Sequence, residues 1–407
     1  PGVTLMWVAG AAIDITKFVI NQEVYDHINF IIFDTVAKVS VISVQYVLTL
    51  LAIFLLSKVI GFYKSLAVVF LFTFETFFVG NSRLLHLDTL VSLFIFNSLI
   101  LYYLYLNDIK LFNFKYYSHV LALITGLFFA LSFLTKSIAI GLVPFALLIS
   151  IFYYFNNKNS KAFYKFGLVL VNFVSFVFIL FPALWVDPIY YLTEIFSEGE
   201  RVGIRKGHDQ IIFGETTADG GLLFYPLVLL LKVTPFSLLF ILMGFISYVK
   251  SKFANKISIK KELLTFNWFI LIFYMGYLLV MFYPTKKIDR YMVVMYPFIA
   301  YFTFVSIEYL FNKYKNIKSA LLNMVGILFI LLYFLPLIQF YPYYFTYFSP
   351  LFINAQNAHK VIAQKPFGIG MYQLRDTIIN DYGDVDLGFI DVKPIESIYP
   401  ASKVFDI

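Results

Sequence analysis

The chain has no cysteine, which excludes disulfides and thiolate metal sites and leaves the redox compartment undetermined. Charge is scarce as well: 14% of its 407 residues are Asp, Glu, Lys or Arg, against 61% hydrophobic, and the mean hydropathy is +0.82. A soluble core of this length cannot bury so many apolar residues, and here they come in runs of about 20. No Walker or dinucleotide glycine fingerprint is present, no repeat at a solenoid period and no low-complexity linker. There is no signal-peptide pattern either; the chain begins at Pro1 without Met, and a preceding N-terminal piece is expected.

What remains is the pattern of an all-α polytopic membrane protein. The 50 Phe and 31 Tyr suit lipid-facing helices and interfacial belts. Residues 1–29, interrupted by Asp14 and Lys17, read as one or two interfacial helices. Ten spans follow, at roughly 35–56, 65–80, 88–106, 117–134, 138–155, 165–186, 222–248, 263–282, 291–311 and 319–340, each near the ~20 residues a bilayer core requires. Residues 187–221 form a long polar loop. The tail 341–407 differs in character: GMYQLRDTIIN has the look of a short helix and VDLGFIDV alternates like a strand, so the domain reading is a membrane domain over 1–340 and an extracytoplasmic segment over 341–407.

Alternating these spans sends lysine-rich short loops to one side: Lys58 and Lys64, Lys110 and Lys115, the run from Lys158 to Lys165, the run from Lys250 to Lys261, and Lys313 to Lys318. By the positive-inside rule that side is cytoplasmic, and the formal charge of +7 sets topology rather than nucleic-acid binding. The opposite side receives Arg83, Arg201, Arg205, Arg290 and Arg375, all the arginines of the chain. Arginine's planar fork grips phosphate or carboxylate, so this census points to an anionic ligand at that surface.

Three stretches carry candidate chemistry. In NSRLLHLDTLVSLF, residues 81–94, Arg83, His86 and Asp88 stand at the mouth of two spans, where charge is costly. A spacing of five puts Arg83 and Asp88 round the helix axis from each other, so cooperation requires a turn between them; alternatively Asp88 caps a span beginning at Thr89 while Arg83 snorkels. His86 has no second ligand at metal spacing. In PTKKIDRYMVVMYP, Lys286, Lys287 and Arg290 suit a phosphate held at the membrane surface or anionic headgroups. Lys136, in FLTKSIAIG, adds a cation on the same side. The loop GERVGIRKGHDQIIFGETTADGG offers Arg201, Arg205, His208, Asp209 and Glu215 as substrate-loop residues. Glu75 and Lys232 are charges inside apolar spans; Lys232 needs either a partner or a route to the interface, and both residues also fit a structural role.

Together these motifs resemble the GT-C glycosyltransferases that use polyprenyl-phosphate sugars, in particular the protein O-mannosyltransferases and lipid A aminoarabinose transferases. SRLLHLDTLVSLF resembles the family's R-x-x-x-x-D turn, through Arg83 and Asp88. GLFFALSFLTKSIAIGLVP resembles its glycine-to-lysine stretch ending at Lys136, and GHDQIIFGETTADGGLLFYPLVLLLKVTP the long-loop segment of bacterial members. KKIDRYMVVMYP and YPYYFTYFSPLF are similar to the later basic turn and the lead into the C-terminal region.

The resemblance implies a GT-C bundle and inverting transfer of a sugar from a polyprenyl phosphate to a lipid, glycan or protein acceptor on the extracytoplasmic face of the cell membrane. It gives Arg83, Lys286, Lys287 and Arg290 as phosphate ligands, with Asp88 as a catalytic-site carboxylate that orients Arg83 or contacts sugar or acceptor. In the family the general-base aspartate lies in the first outer loop; PGVTLMW resembles a later part of that loop, so the base is expected before Pro1, with Asp14, Glu23 and Asp26 as available substitutes. No cofactor is required by the sequence, and a divalent metal is left open. Two rivals remain: a lipid-linked polysaccharide ligase, which shares the donor chemistry, and a transporter or flippase, which predicts Gly/Pro-broken helices with charges near the midplane and repeated halves, whereas this chain concentrates its charges in outer loops and shows no such halves.

Overall fold

The computed structural model describes residues 2–21, 27–111, 115–157, 160–203, 210–255, 265–314, 319–350, 355–362, 369–383, 385–389, 393–396, 398–400 and 403–406. The fold is all-α and polytopic. Seven of its described helices are long and apolar enough to cross a membrane, or up to nine if each of two bent pairs is one span.

In order, the helices are α1 (Val3–Ile20), α2 (His27–Ile60), α3 (Phe62–Thr73), α4 (Thr76–Ser82), α5 (Leu87–Leu106), α6 (Tyr117–Thr135), α7 (Leu142–Asn157), α8 (Lys161–Leu180) and α9 (Ala183–Val186). They continue with α10 (Pro188–Gly203), α11 (Phe224–Lys232), α12 (Pro235–Asn255), α13 (Phe266–Phe282), α14 (Tyr296–Lys313), α15 (Ser319–Gln339), α16 (Ala355–Val361), α17 (Met371–Tyr382) and α18 (Lys393–Glu396). Short 3₁₀ turns at Ser137–Gly141 and Asp289–Met295 precede α7 and α14.

Several expectations change. The stretch over 1–29 contains a continuous 18-residue helix that itself passes as a span, because two charged side chains do not interrupt backbone i→i−4 bonding. The run at 65–80 is two helices bent by 74°, and that at 222–248 two helices bent by 113°. The run at 165–186 stops as a helix at Leu180, and α13 has 17 residues. The 187–221 segment is not a structureless loop: it holds the exposed α10 and a hairpin, β1 (Gln210–Ile212) against β2 (Glu215–Thr217).

The described residues fall into two compact units, one of Pro1–Thr4 with Gln45–Ala363 and one of Leu5–Val44 with Gln364–Ile407. In the second, the Tyr372 hydroxyl donates to Asp34 at 3.0 Å, and Ile395, Ile398, Tyr399 and Val404 form a small core on which Phe30, Met371 and Leu387 pack. β3 (Leu387–Phe389) pairs in parallel with β4 (Val404–Asp406).

In the first unit α5 is the central helix, with nearly every residue buried. It packs on α6 through Ser98 and Ser132, whose hydroxyls lie 3.1 Å apart, and Tyr102 donates to the Ala146 carbonyl of α7 at 3.0 Å. Gly126 lets α6 approach α8 so closely that a Cβ there would lie 2.4 Å from Asn172 Cβ and 2.9 Å from the Phe173 nitrogen, the use of a small residue expected between apolar helices. At one end of the bundle, Lys165 pairs with Asp108 at 2.7 Å and Lys64 with Glu308 at 2.5 Å. The opposite end of α5 carries Asp88.

Candidate functional site

Three breaks in helical structure build the site. The first is the turn of residues 83–86 between α4 and α5. His86 is the extended residue before α5, and no side chain caps that terminus. Asp88 lies within the first turn, where a carboxylate is favoured by the helix dipole. It is therefore not the cap of a span starting at Thr89.

The second break is Lys136, extended between α6 and the following 3₁₀ turn. The end of α6 is pinned from the chain's beginning: Gly2 N–H donates to the Leu134 carbonyl at 3.0 Å, and the hydroxyls of Thr4 and Thr135 lie 2.6 Å apart. The third is the 3₁₀ turn that holds Asp289, Arg290 and Tyr291.

These breaks converge on the Asp88 carboxylate. Its Oδ1 accepts from Lys136 Nζ at 2.5 Å. Its Oδ2 lies 2.8 Å from His86 Nδ1 and 3.6 Å from Arg290 Nε. Arg290 Nη1 is 2.5 Å from His86 Nε2, and Lys136 Nζ stands 4.1 Å from the Tyr291 ring centroid, within cation–π reach. The Asp88 side chain is only 2% exposed, whereas Lys136 and His86 keep 21% and 27%. The carboxylate is thus sealed behind the groups it holds, and the cations and the imidazole are the accessible chemistry. Two cations are gathered on one carboxylate, an arrangement suited to receiving an anion.

An apolar cavity of about 220 Å³ begins two residues beyond Lys136, lined by Ile138, Ala139, Phe145, Phe273 and Tyr277 among others. Tyr277 donates to the Tyr291 carbonyl at 3.0 Å, which joins the cavity wall to the cluster.

Behind Arg290, Asp289 Oδ1 accepts its backbone N–H at 2.8 Å, and Oδ2 is 3.7 Å from Lys232 Nζ. Lys232 is fully buried, 3.4 Å from the Phe348 ring centroid. Glu75 sits at the break between α3 and α4 and accepts from Thr234 N at 3.2 Å, Thr234 Oγ1 at 2.8 Å and Ser237 Oγ at 2.6 Å. Both buried charges thus have partners: Glu75 bonds the start of α12 from the α3–α4 break, and Lys232 supports the Arg290 turn through Asp289.

Of the other residues singled out in sequence, Arg83 is not in the cluster. Its Nη1 donates to the Pro342 carbonyl at 2.9 Å and its guanidinium lies over Tyr344, so the Arg83–Asp88 pairing gives way to Lys136–Asp88. Lys287 is drawn to the loop, 2.7 Å from Asp219 and 2.6 Å from the Pro284 carbonyl. Lys286 donates its N–H to Gly203 at 3.0 Å and stands with that loop anchor.

Arg201 forks onto Glu198 along α10, and Glu215 is exposed on the hairpin. The Glu198 carboxyl is held below its ordinary range by the hydrogen bond from Arg201. Arg205, His208 and Asp209, like Glu23 and Asp26, lie outside the described residues. Asp14 is exposed on α1. Among the described arginines of the first unit, Arg290 joins Asp88 while Arg83 and Arg201 have other partners; in the second unit Arg375 pairs with Asp376.

Sequence reading missed three contributors: His86 as a bridge between Asp88 and Arg290, Tyr291 as the ring under Lys136, and Gln210. The buried Gln210 stitches the hairpin to the basic turn, donating to the Thr285 carbonyl at 2.9 Å and accepting from Lys287 N at 3.1 Å. Asp219 is the second anchor; partial burial opposes its charge, but the hydrogen bonds from Lys287 and Gly221 outweigh that and hold its carboxyl below the ordinary range.

Among the described residues no group of three or more His, Asp or Glu is placed to hold a metal ion. Set against known proteins, the chain matches no family model, no curated protein and no solved structure.

Proposed function

We propose that this chain is an integral membrane glycosyltransferase of the GT-C type, moving a sugar with inversion from a polyprenyl-phosphate donor to an acceptor on the extracytoplasmic face. The observation that carries the reading is the juxtaposition of the Asp88–Lys136–Arg290 cluster with the apolar cavity. An amphiphile with an anionic head and a hydrocarbon chain matches both surfaces at once.

The chemistry fits the groups. An acceptor oxygen attacks the anomeric carbon while the bond from that carbon to the phosphate oxygen breaks, and the lipid phosphate leaves with the bonding pair. Lys136 and Arg290 meet the charge that develops there, and removing one such group costs on the order of 10²–10³ in rate. Asp88, buried and engaged, holds these cations in place. The acceptor proton goes to a carboxylate base, which the resemblance puts in the family's first outer loop. The acceptor is a lipid, glycan or protein hydroxyl.

One observation favours a second reading, membrane transport. Two bent helix pairs with buried Glu75 and Lys232 at their breaks are what a transporter requires. Against this, the contacts of both charges are structural: Glu75 caps a half-helix and Lys232 pairs with Asp289.

The deciding experiment follows labelled sugar from polyprenyl phosphate in membranes carrying the full-length gene, with Lys136→Met and Asp88→Asn alongside. Transfer lost in both variants at normal membrane levels is the expected result. No transfer from any donor, with substrate flux in proteoliposomes, replaces this reading by transport; transfer of whole polysaccharide chains replaces it by the ligase.

A further inference from the structure

The imidazole of His86 is caught between two partners of opposite demand. Asp88 Oδ2, 2.8 Å from Nδ1, accepts only, so Nδ1 carries the hydrogen. Arg290 Nη1, 2.5 Å from Nε2, belongs to a guanidinium, which has five donors and no acceptor. Nε2 must then present its lone pair. A proton on Nε2 would set N–H against N–H at that distance, beside a second positive charge.

Charged and titratable groups stand round the ring from several elements. From α5, Asp88 Oδ2 faces Nδ1. From the 3₁₀ turn Arg290 faces Nε2, with Tyr291 beside it and Asp289 behind, and from the end of α6 Lys136 shares the Asp88 carboxylate. From α13, the Tyr277 hydroxyl donates to the Tyr291 carbonyl.

We propose that His86 is a positioning residue whose unprotonated Nε2 holds Arg290 in the anion-binding cluster, and whose protonation there releases Arg290 and weakens handling of the donor phosphate. This deepens the glycosyl-transfer reading and rests on it. A proton gained at Nε2 is thus felt as a loss of the grip on Arg290, because a guanidinium offers no acceptor to it.

Two measurements test this together on the full chain in nanodiscs. In the first, ring-¹⁵N histidine labelling reports tautomers. The chain has five histidines, and the His86 signal is the one lost in His86→Gln. Near pH 8 it should show Nδ1 protonated and Nε2 bare, and Arg290→Met should move the Nε2 signal. A protonated Nε2 in that buffer, or a signal indifferent to Arg290→Met, overturns the proposal without needing activity.

In the second, the pH profile of sugar transfer from polyprenyl phosphate is compared between wild type and His86→Gln, whose amide oxygen accepts from Arg290 but gains no proton. The wild type should fall about tenfold per pH unit on its acid limb, and His86→Gln should be slower at high pH yet lack that limb. The same acid limb in both overturns the positioning role while leaving the transfer reading intact. The expected spectrum with no transfer from any donor overturns the reading itself, and the role with it.

Discussion

Replacing Lys136 by Met removes the shortest contact of a carboxylate whose side chain is 2% exposed. Breaking a buried ion pair by deleting one partner costs about 3–5 kcal/mol. Asp88 keeps His86 at 2.8 Å and Arg290 at 3.6 Å, so the loss should fall at the lower end, about 3 kcal/mol. Asp88→Asn retains a hydrogen-bond acceptor but leaves Lys136 and Arg290 without their shared counter-charge, for about 2 kcal/mol. The double variant has no stranded charge on this pair and should be more stable than the sum implies, by about 2 kcal/mol.

Reversible unfolding in mixed micelles, followed through the fluorescence of Trp7, Trp185 and Trp268, gives the three free energies; thiol-reactive dyes have no target in a chain without cysteine. Single losses that add to the double within about 0.5 kcal/mol would refute the idea that these two side chains share an interaction. Transfer activity gives an independent reading, since both single variants should lose on the order of 10²-fold or more.

Other outcomes follow from the same geometry. Gly80→Ala places a Cβ 2.3 Å from the Phe345 nitrogen, so it should push the 344–346 turn off α4 and cost about 1–3 kcal/mol in the same unfolding assay; an unchanged stability would contradict that packing. Glu75→Ala should destabilise by about 2 kcal/mol more than Glu75→Gln, because Gln leaves an acceptor for α12, and equal losses would remove the capping role. The contact of Asp219 with Lys287 has a depressed carboxyl, so its contribution is complete above the ordinary carboxylate range and is lost as pH falls through the lower folded value. Acid proteolysis of the 210–221 hairpin should rise only below about pH 4, and Asp219→Asn should show that cleavage already at neutral pH. With Asp219 half exposed, solvent screening holds the pair to about 1 kcal/mol, and cleavage of the wild type unchanged down to pH 2, about the lower limit of folded carboxylates, would deny the anchor.

Much of the membrane architecture was readable from the chain alone, and its errors have local causes. The spans at 88–106 and 117–134 match α5 and α6 within a residue because a long apolar run with polar ends leaves the backbone one way to satisfy its hydrogen bonds in lipid. The bends after Thr73 and Lys232 were hidden inside equally apolar runs; Glu75 and Lys232 marked them, but nothing in the sequence says whether a buried charge snorkels, pairs or caps. The site was read only in part. Asp88, Lys136 and Arg290 stand out in the sequence, yet the resemblance to the R-x-x-x-x-D turn pairs Arg83 with Asp88, and nearness along the chain groups Lys287 with Arg290.

Hydropathy is a local property, so the sequence by itself determined that this is an all-α polytopic protein, where α5 and α6 begin and end, and that cations gather at one set of helix ends. Ion pairs and hydrogen bonds act over about 3 Å and depend on which ends packing brings together. Only the tertiary structure could therefore decide that Asp88 takes Lys136 from 48 residues away and that His86 meets Arg290 from 204 residues away. It also decided that Arg83, five positions from Asp88, turns instead to the carbonyl of Pro342.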